Sequence, residues 1–143
     1  MDCYENVETS LKEICEECNY YETNQCVKSA CNIGFAVNAI KNATMNGQMA
    51  IKDGTKLIPI TDMKFYEKNA IAKGIASVCR LCKDCRENHS ENCIVSLCRR
   101  SLEGTYLKEK VDYPGNVLMY LVNVEKQDSS FANRIKTEYI HIR

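Results

Sequence analysis

The chain has 143 residues, enough for one domain or for two half-domains that share a core. Its 19 Lys and Arg residues balance 19 Asp and Glu residues, so no overall field attracts it to nucleic acid or to an anionic membrane. Ten of its residues are cysteines, and no apolar run approaches the roughly 18 residues of a membrane-spanning helix.

The first predicted element is a short amphipathic helix over residues 4–14. Its apolar residues recur at spacings of three, four and three, at Tyr4, Val7, Leu11 and Ile14. The N-terminal stretch MDCYENVETSLKEIC is acidic and interrupted, which is not the pattern of a signal peptide. We therefore expect a cytoplasmic protein, whose thiols stay reduced and available to metal.

The predicted helix leads directly into four cysteines in the sequence CEECNYYETNQCVKSAC. Their spacing is C-x2-C-x7-C-x4-C, and the first cysteine set is defined as Cys15, Cys18, Cys26 and Cys31. The polar residues 19–25 form a loop between the two pairs. From Cys26 onward the apolar pattern predicts a helix over about residues 26–43, which ends near Asn46-Gly47.

The next segment, MAIKDGTKLIPI, predicts a β-hairpin because Asp53-Gly54 lies between apolar-rich flanks. A second lead-in helix is predicted over residues 64–78, with an apolar side made of Phe65, Ala72, Ile75, Ala76 and Val78. It leads into the second cysteine set, which repeats the spacing of the first set at an offset of 67 residues: Cys82, Cys85, Cys93 and Cys98.

The C-terminal part predicts one more helix and two strands. The helix continues from Cys98 to about Lys110, and Tyr113-Pro114-Gly115 ends it. The segment NVLMYLVNVEK is dense in β-formers and predicts a largely buried strand. The alternating segment RIKTEYIHIR predicts a closing strand.

Both halves therefore have the same order of elements, and the match extends beyond cysteine, for example to Ser29 and Ser96. We predict an α+β fold with a pseudo-twofold internal repeat, in which each half is helix, cysteine module, helix and β-hairpin. The hairpins would join in a small antiparallel sheet. Residues 1–67 form the first repeat and residues 68–143 the second, together one compact domain.

The spacing of the cysteines suggests their chemistry. A C-x2-C step occurs in both zinc and iron–sulfur sites. The C-x4-C step places two thiolates about 500° apart on a helix, which suits a larger cubane better than one small ion. We predict two [4Fe–4S] clusters, one at each set. Two zinc ions are the alternative, and disulfides or oxidised thiols are a third.

Three further residues have a place near the predicted sites. Cys79 extends the second set to C-x2-C-x2-C, whereas its repeat counterpart is Lys12, and Cys3 also has no cysteine counterpart. Each of the two is read as a spare thiol or a buried small apolar residue, with an alternative ligand as the other interpretation. His89 is read as an exposed loop residue, with a substitute ligand as the alternative.

The predicted function is a small soluble iron–sulfur protein for electron transfer, redox sensing or maturation of an oxygen-sensitive partner. The alternative is a zinc-stabilised module that binds a protein or nucleic acid. No phosphate loop, Ser-His-Asp order or paired carboxylate indicates an enzyme. The expected partner is an acidic redox protein, attracted by a basic patch around the second set: Arg80, Lys83, Arg86, Arg99 and Arg100.

Overall fold

The computed structural model describes residues 3–17, 23, 31–48, 50–59, 66–84, 93–107, 109, 111, 113–114 and 116–141. Within these residues the chain is helical. The helices are α1 (Cys3–Glu16), α2 (Asn32–Asn46), α3 (Lys68–Asp84), α4 (Ile94–Glu103), α5 (Val117–Glu125) and α6 (Ser129–His141), with a short 3₁₀ helix at Gly54–Leu57.

The prediction of an α+β fold with an antiparallel sheet is wrong, because the described residues form no strand. The backbone of Ala50 makes an isolated antiparallel bridge to Cys93. In the segment predicted as a hairpin, Asp53 adopts a left-handed conformation with φ of 56°, and the chain continues into the 3₁₀ helix. A Cβ atom added at Gly54 would lie 2.4 Å from a terminal methyl carbon of Leu97, so the backbone at Gly54 packs closely against α4.

The segment predicted as a buried strand is α5. Asn116 begins this helix as its N-cap, and its side-chain oxygen accepts hydrogen bonds from the backbone N–H groups of Leu118 at 2.8 Å and Met119 at 3.2 Å. The buried residues follow a helical period, at Tyr120, Leu121 and Val124. A short apolar run rich in β-formers does not distinguish a strand from a helix, and here the cap and the packing decide.

The segment predicted as the closing strand belongs to α6. The Asp128 side chain accepts a hydrogen bond from the backbone N–H of Phe131 at 3.0 Å, which caps the start of the helix. Arg134 and Glu138 form an ion pair of 2.8 Å at the i, i+4 spacing of a helix. The helical period places Phe131, Ala132 and Ile135 in the core.

We expect Asn116→Ala to lower the free energy of unfolding by about 1 kcal/mol, because two backbone N–H groups of α5 lose their acceptor. Urea unfolding followed by circular dichroism measures the change. Asn133→Ala is the matched control, since Asn133 is exposed inside α6, and its effect should stay within about 0.5 kcal/mol. Equal effects of the two substitutions would contradict the assigned cap.

The helices on the N-terminal side agree better with the sequence. α1 spans the predicted helix, and Val7, Leu11 and Ile14 are buried as expected. α2 ends where predicted, because Gly47 adopts a left-handed conformation with φ of 68° and its backbone N–H donates to the Asn42 carbonyl. α4 ends earlier than predicted, at Glu103, and is followed by turns.

The helices share one core, with α3 at its centre. α3 packs against α1, α4, α5 and α6, while α2 packs against α1 and α4. Buried residues therefore lie on several faces of α3, and they include Ile71, Ile75, Val78 and Cys79. The two predicted halves are thus joined by a single hydrophobic cluster, and α3 begins at the first residue of the second predicted repeat.

One contact in the core has the spacing of the predicted repeat. The hydroxyl oxygens of Ser10 on α1 and Ser77 on α3 lie 3.1 Å apart, and these residues are 67 positions apart in the chain. A residue on a twofold axis meets its own counterpart, so a pseudo-twofold repeat would produce this contact. The buried α1 residues Val7, Ser10, Leu11 and Ile14 also have buried counterparts in Gly74, Ser77, Val78 and Leu81.

The similarity of α1 and α3 ends on the face that α5 and α6 cover. Three residues of α3 on one helical face are fully buried: Ala72, Ile75 and Cys79. Their counterparts on α1, at the same offset of 67 residues, are exposed and charged: Glu5, Glu8 and Lys12. The packing of α5 and α6 on α3 therefore explains why Cys79 has no cysteine counterpart.

Candidate metal centre

The first cysteine set spans the connection between α1 and α2. Cys15 lies half-buried in the last turn of α1. Cys31 is buried and stands just before α2 as its N-cap, with an extended backbone. The prediction that the helix includes Cys31 is therefore wrong. Cys18 and Cys26 lie outside the described residues.

The second cysteine set spans the connection between α3 and α4. The backbone of Cys82 lies in the last turn of α3, and Cys93 is the half-buried N-cap of α4. Cys98 lies inside α4 and is fully buried. Cys85 and His89 are outside the described residues.

The two sets share a position in the fold. Each begins in the last turn of one helix and has a cysteine at the N-cap of the next, although this cysteine is the fourth of the first set, Cys31, and the third of the second set, Cys93. The helices that each set connects pack against each other, α1 against α2 and α3 against α4. Backbone N–H groups at a helix N-terminus have no partner within the helix, so they can donate to a sulfur atom there.

The thiol of Cys31 has a defined neighbour. Its sulfur lies 3.1 Å from the hydroxyl oxygen of Tyr66, just before α3. The Tyr66 carbonyl in turn accepts a hydrogen bond from the Tyr106 hydroxyl. When Cys31 is ionised, the Tyr66 hydroxyl is the donor, and hydrogen bonds of this kind stabilise and tune thiolate ligands.

A reciprocal pair of hydrogen bonds fixes α2 against α4 beside Cys31. The Asn32 side chain donates to the Ser101 carbonyl at 2.7 Å, and the Ser101 hydroxyl donates to the Asn32 carbonyl at 2.7 Å. All four groups are in a buried part of the fold. This tether joins the start of α2 to the last turn of α4.

Cysteine thiolates are chemically suited to a soft metal ion or cluster. Soft thiolates select zinc and iron–sulfur clusters among biological metals. The side chains of two members of each set are described: Cys15 and Cys31, and Cys93 and Cys98. Within the described residues no three His, Cys, Asp or Glu side chains form a metal-binding group, and each predicted set has only two described members to contribute.

The two unmatched cysteines occupy places that favour other roles. Cys79 is fully buried and lies near enough to Tyr120 on α5 to influence the pKa of that phenol. This supports the interpretation of Cys79 as a small buried residue between α3 and α5. Cys3 begins α1 and Cys15 lies in its last turn, so they are about 18 Å apart at 1.5 Å per residue.

One buried polar cluster was not predicted from the sequence. The α4–α5 network is defined as Arg99, Glu103 and Tyr120, and all three are almost fully buried. The Arg99 Nε atom donates to Glu103 Oε2 at 3.2 Å, and the Tyr120 hydroxyl donates to the same oxygen at 2.5 Å. The Arg99 guanidinium also lies over the rings of Tyr113, at 4.7 Å, and Tyr120, at 5.2 Å.

The network corrects the predicted basic patch. Arg99 is 2% exposed, so it contributes no charge to a docking surface. Arg80 and Arg100 are half-buried, and the side chains of Lys83 and Arg86 lie outside the described part of the chain. The spacing of Arg99 and Glu103 is the sequence signal for the pair, but the same spacing is common on exposed helix surfaces.

Burial controls the electrostatics of the network. It raises the pKa of the Glu103 carboxyl above its ordinary value, although the charge of Arg99 and the hydrogen bond from Tyr120 partly oppose the change. Burial also raises the pKa of Tyr120 well above its ordinary range, and the nearby Glu103 and Cys79 raise it further. The neutral carboxyl and the neutral phenol are therefore favoured by folding.

This direction predicts how stability depends on pH. Folding raises the pKa of Glu103 above 4.5. The stability that this shift contributes to the fold is therefore fully present below pH 4.5 and is lost as pH rises through the folded-state pKa. Glu103→Gln removes this titration. The stability of the native chain relative to this variant should thus fall as pH increases above 4.5, in urea unfolding measured over a pH series. A relative stability that increases with pH would mean that attraction to Arg99 outweighs burial.

No protein-family model, no curated protein and no solved structure matches this chain. None of the described helices is both long and apolar enough to cross a membrane. The function therefore has to be inferred from the cysteine sets and from the residues packed around them.

Proposed function

We propose that the chain is a small cytoplasmic iron–sulfur protein with one cluster at each cysteine set. It serves electron transfer, redox sensing or the maturation of an oxygen-sensitive partner. The supporting observation is that both sets occupy the same kind of position, between two packed helices and with a cysteine at a helix N-cap. Two sets with one spacing and one place in the fold suggest two similar sites.

The residues of the chain have distinct roles in this proposal. The eight cysteines supply the ligands, and the Tyr66 hydroxyl orients and stabilises the sulfur of Cys31. When bound, an iron–sulfur cluster supplies one-electron chemistry. The half-buried Cys15 and Cys93 would place one side of each site near the surface, where an electron can be exchanged, while Cys31 and Cys98 are shielded from water.

The proposed partner is an acidic redox protein that docks near the second set. Arg80 and Arg100 are the partly exposed cations of the described residues in this region. Since Arg99 is buried and paired with Glu103, the attraction is weaker than the sequence suggested. The charge reversal that tests docking is therefore Arg100→Glu alone, which should slow electron exchange with an acidic donor, most at low salt.

Anaerobic purification followed by reduction with dithionite tests the proposed function. Iron–sulfur clusters absorb broadly in the visible range, and their reduced forms give an electron paramagnetic resonance signal. We expect a brown protein whose colour is bleached by dithionite and whose signal appears on reduction. A colourless protein that contains zinc would contradict electron transfer and would favour the zinc-stabilised binding module.

A further inference from the structure

We propose that α5 is a self-association surface, on which a second copy of this chain docks its own α5 in antiparallel orientation. The surface is called the α5 face and is defined as Leu118, Met119, Val122 and Glu125. The resulting dimer has twofold symmetry, so each copy presents the same residues to the other. The association does not depend on a metal at the cysteine sets.

The first observation is that the outer side of α5 is apolar. Leu118 is 67% exposed, Met119 50% and Val122 41%, and these are three of the six large apolar side chains that are exposed in the described part of the chain. Leu118, Val122 and Glu125 follow the i, i+4, i+7 spacing of one helical stripe. Met119 is three residues before Val122 and therefore lies beside this stripe. The residues that α5 buries in the core lie on the opposite side of the helix.

The second observation concerns charge. A helix that packs on a core normally carries polar or charged residues on its outer side, whereas residues 116–124 contain no charged residue. Glu125 is the one charged residue of α5. Because it is negative, the acidic redox partner proposed for the second cysteine set does not fit this face. The equal numbers of positive and negative residues in the chain also mean that two copies do not repel each other over a distance.

The α5 face complements itself when two copies of α5 lie antiparallel. With the twofold axis midway between Leu118 and Val122, the Leu118 side chain of each copy packs against the partner's Val122. Glu125 lies five residues beyond this axis, about 7.5 Å along the helix, and so reaches the start of the partner's α5. Since the N-terminus of a helix attracts negative charge, this match favours a second copy as the occupant.

The size of the α5 face predicts a weak dimer. A stable interface buries about 800 Å² on each partner, and the exposed parts of three side chains supply only a fraction of that area. We therefore expect a dissociation constant above about 1 µM, so that the dimer forms at high protein concentration.

Sedimentation equilibrium of the native chain tests the proposal, in anaerobic buffer with a phosphine reductant that prevents disulfides between copies. The average mass should rise from that of one chain towards that of two between about 10 µM and 1 mM. Leu118→Glu should weaken the dimer about tenfold, because it buries a carboxylate against the partner's Val122. An acidic residue in the first turn of α5 favours the helix itself, and circular dichroism checks that this variant is folded.

Met45→Glu is the matched control, since Met45 is 78% exposed on α2, which packs against α1 and α4. It should leave dimerisation unchanged. Glu125→Lys tests the orientation, because it places a positive charge at the start of the partner's α5. It should weaken the dimer about fivefold, and more at low salt.

A native chain that stays monomeric at about 1 mM would overturn the proposal and would assign the α5 face to a different protein. A dimer that Leu118→Glu does not weaken, or that Met45→Glu weakens equally, would overturn it as well, since the copies would then meet elsewhere. A dimer that is unchanged by Glu125→Lys would overturn the antiparallel arrangement.

Discussion

Replacing Glu103 with alanine should lower the free energy of unfolding by about 3–5 kcal/mol, because it leaves the buried Arg99 guanidinium without its carboxylate. The Tyr120 hydroxyl loses its acceptor in the same variant. A loss of this size is a large part of the roughly 5–15 kcal/mol that stabilises a typical domain. Urea unfolding followed by circular dichroism measures it.

The chain contains its own control for this prediction. Arg134 and Glu138 on α6 form a second Arg–Glu pair with the same i, i+4 spacing, but the arginine side chain is 41% exposed. Glu138→Ala should therefore cost only about 0.3–0.5 kcal/mol. Equal effects of Glu103→Ala and Glu138→Ala would show that burial does not control the strength of the pair.

The raised pKa of Glu103 leads to a related expectation for the double variant. The upward direction of this pKa shift means that the cost of burying the Glu103 charge outweighs its attraction to the Arg99 charge. Arg99→Leu combined with Glu103→Leu removes both buried charges and keeps apolar volume near Tyr113 and Tyr120. The double variant should therefore regain most of the stability that Glu103→Ala loses.

Replacing Cys85 or Cys93 with serine should remove the metal of the second set and halve the metal content of the protein. A serine hydroxyl is a poor substitute for a thiolate with soft metals. Metal analysis of protein purified without oxygen gives the result. Cys3→Ser should leave the content unchanged, because helix geometry places Cys3 about 18 Å from Cys15.

Cys79→Ala is the more demanding control for the second set. Cys79 lies one turn before Cys82 on α3, so sequence spacing alone makes it an alternative ligand. Its burial near Tyr120 assigns it to the contact with α5 instead. Full metal content in Cys79→Ala would support this assignment. Loss of metal from Cys79→Ala, with retention by Cys93→Ser, would show that the ligand set is wrong.

The sequence predicted the amphipathic helices well. The apolar stripe of Val7, Leu11 and Ile14 determines the buried face of α1, and Gly47 ends α2 through its left-handed backbone. These features are local, since helix periodicity and glycine conformation act over a few residues. Ser10 and Ser77, which meet in the core, are separated by the same offset as the two cysteine sets, but this pair was not predicted.

The predicted strands failed because their composition suits more than one structure. In α5 the cap at Asn116 and the packing of Tyr120 and Val124 decide in favour of a helix. The Asp53-Gly54 turn does not form a hairpin, because its backbone packs on Leu97 of α4, a contact between distant parts of the chain. Such tertiary contacts override local β preference.

The burial of Arg99 could not be predicted for a similar reason. An Arg-Arg pair beside a cysteine set looks like a basic patch in the sequence. Its environment depends on Tyr113 and Tyr120, which come from a later part of the chain. The Arg99 side chain is therefore buried in the core, and it is not one of the surface cations near the candidate site.

The amounts of iron, acid-labile sulfide and zinc per chain in anaerobically purified protein test the central claim most directly. Two [4Fe–4S] clusters correspond to about eight irons and eight sulfides in the native chain. About four of each should remain in Cys18→Ser and in Cys85→Ser, and none when both are combined. Iron and sulfide that are absent from the native protein, or that persist when both sets are disrupted, would contradict the claim.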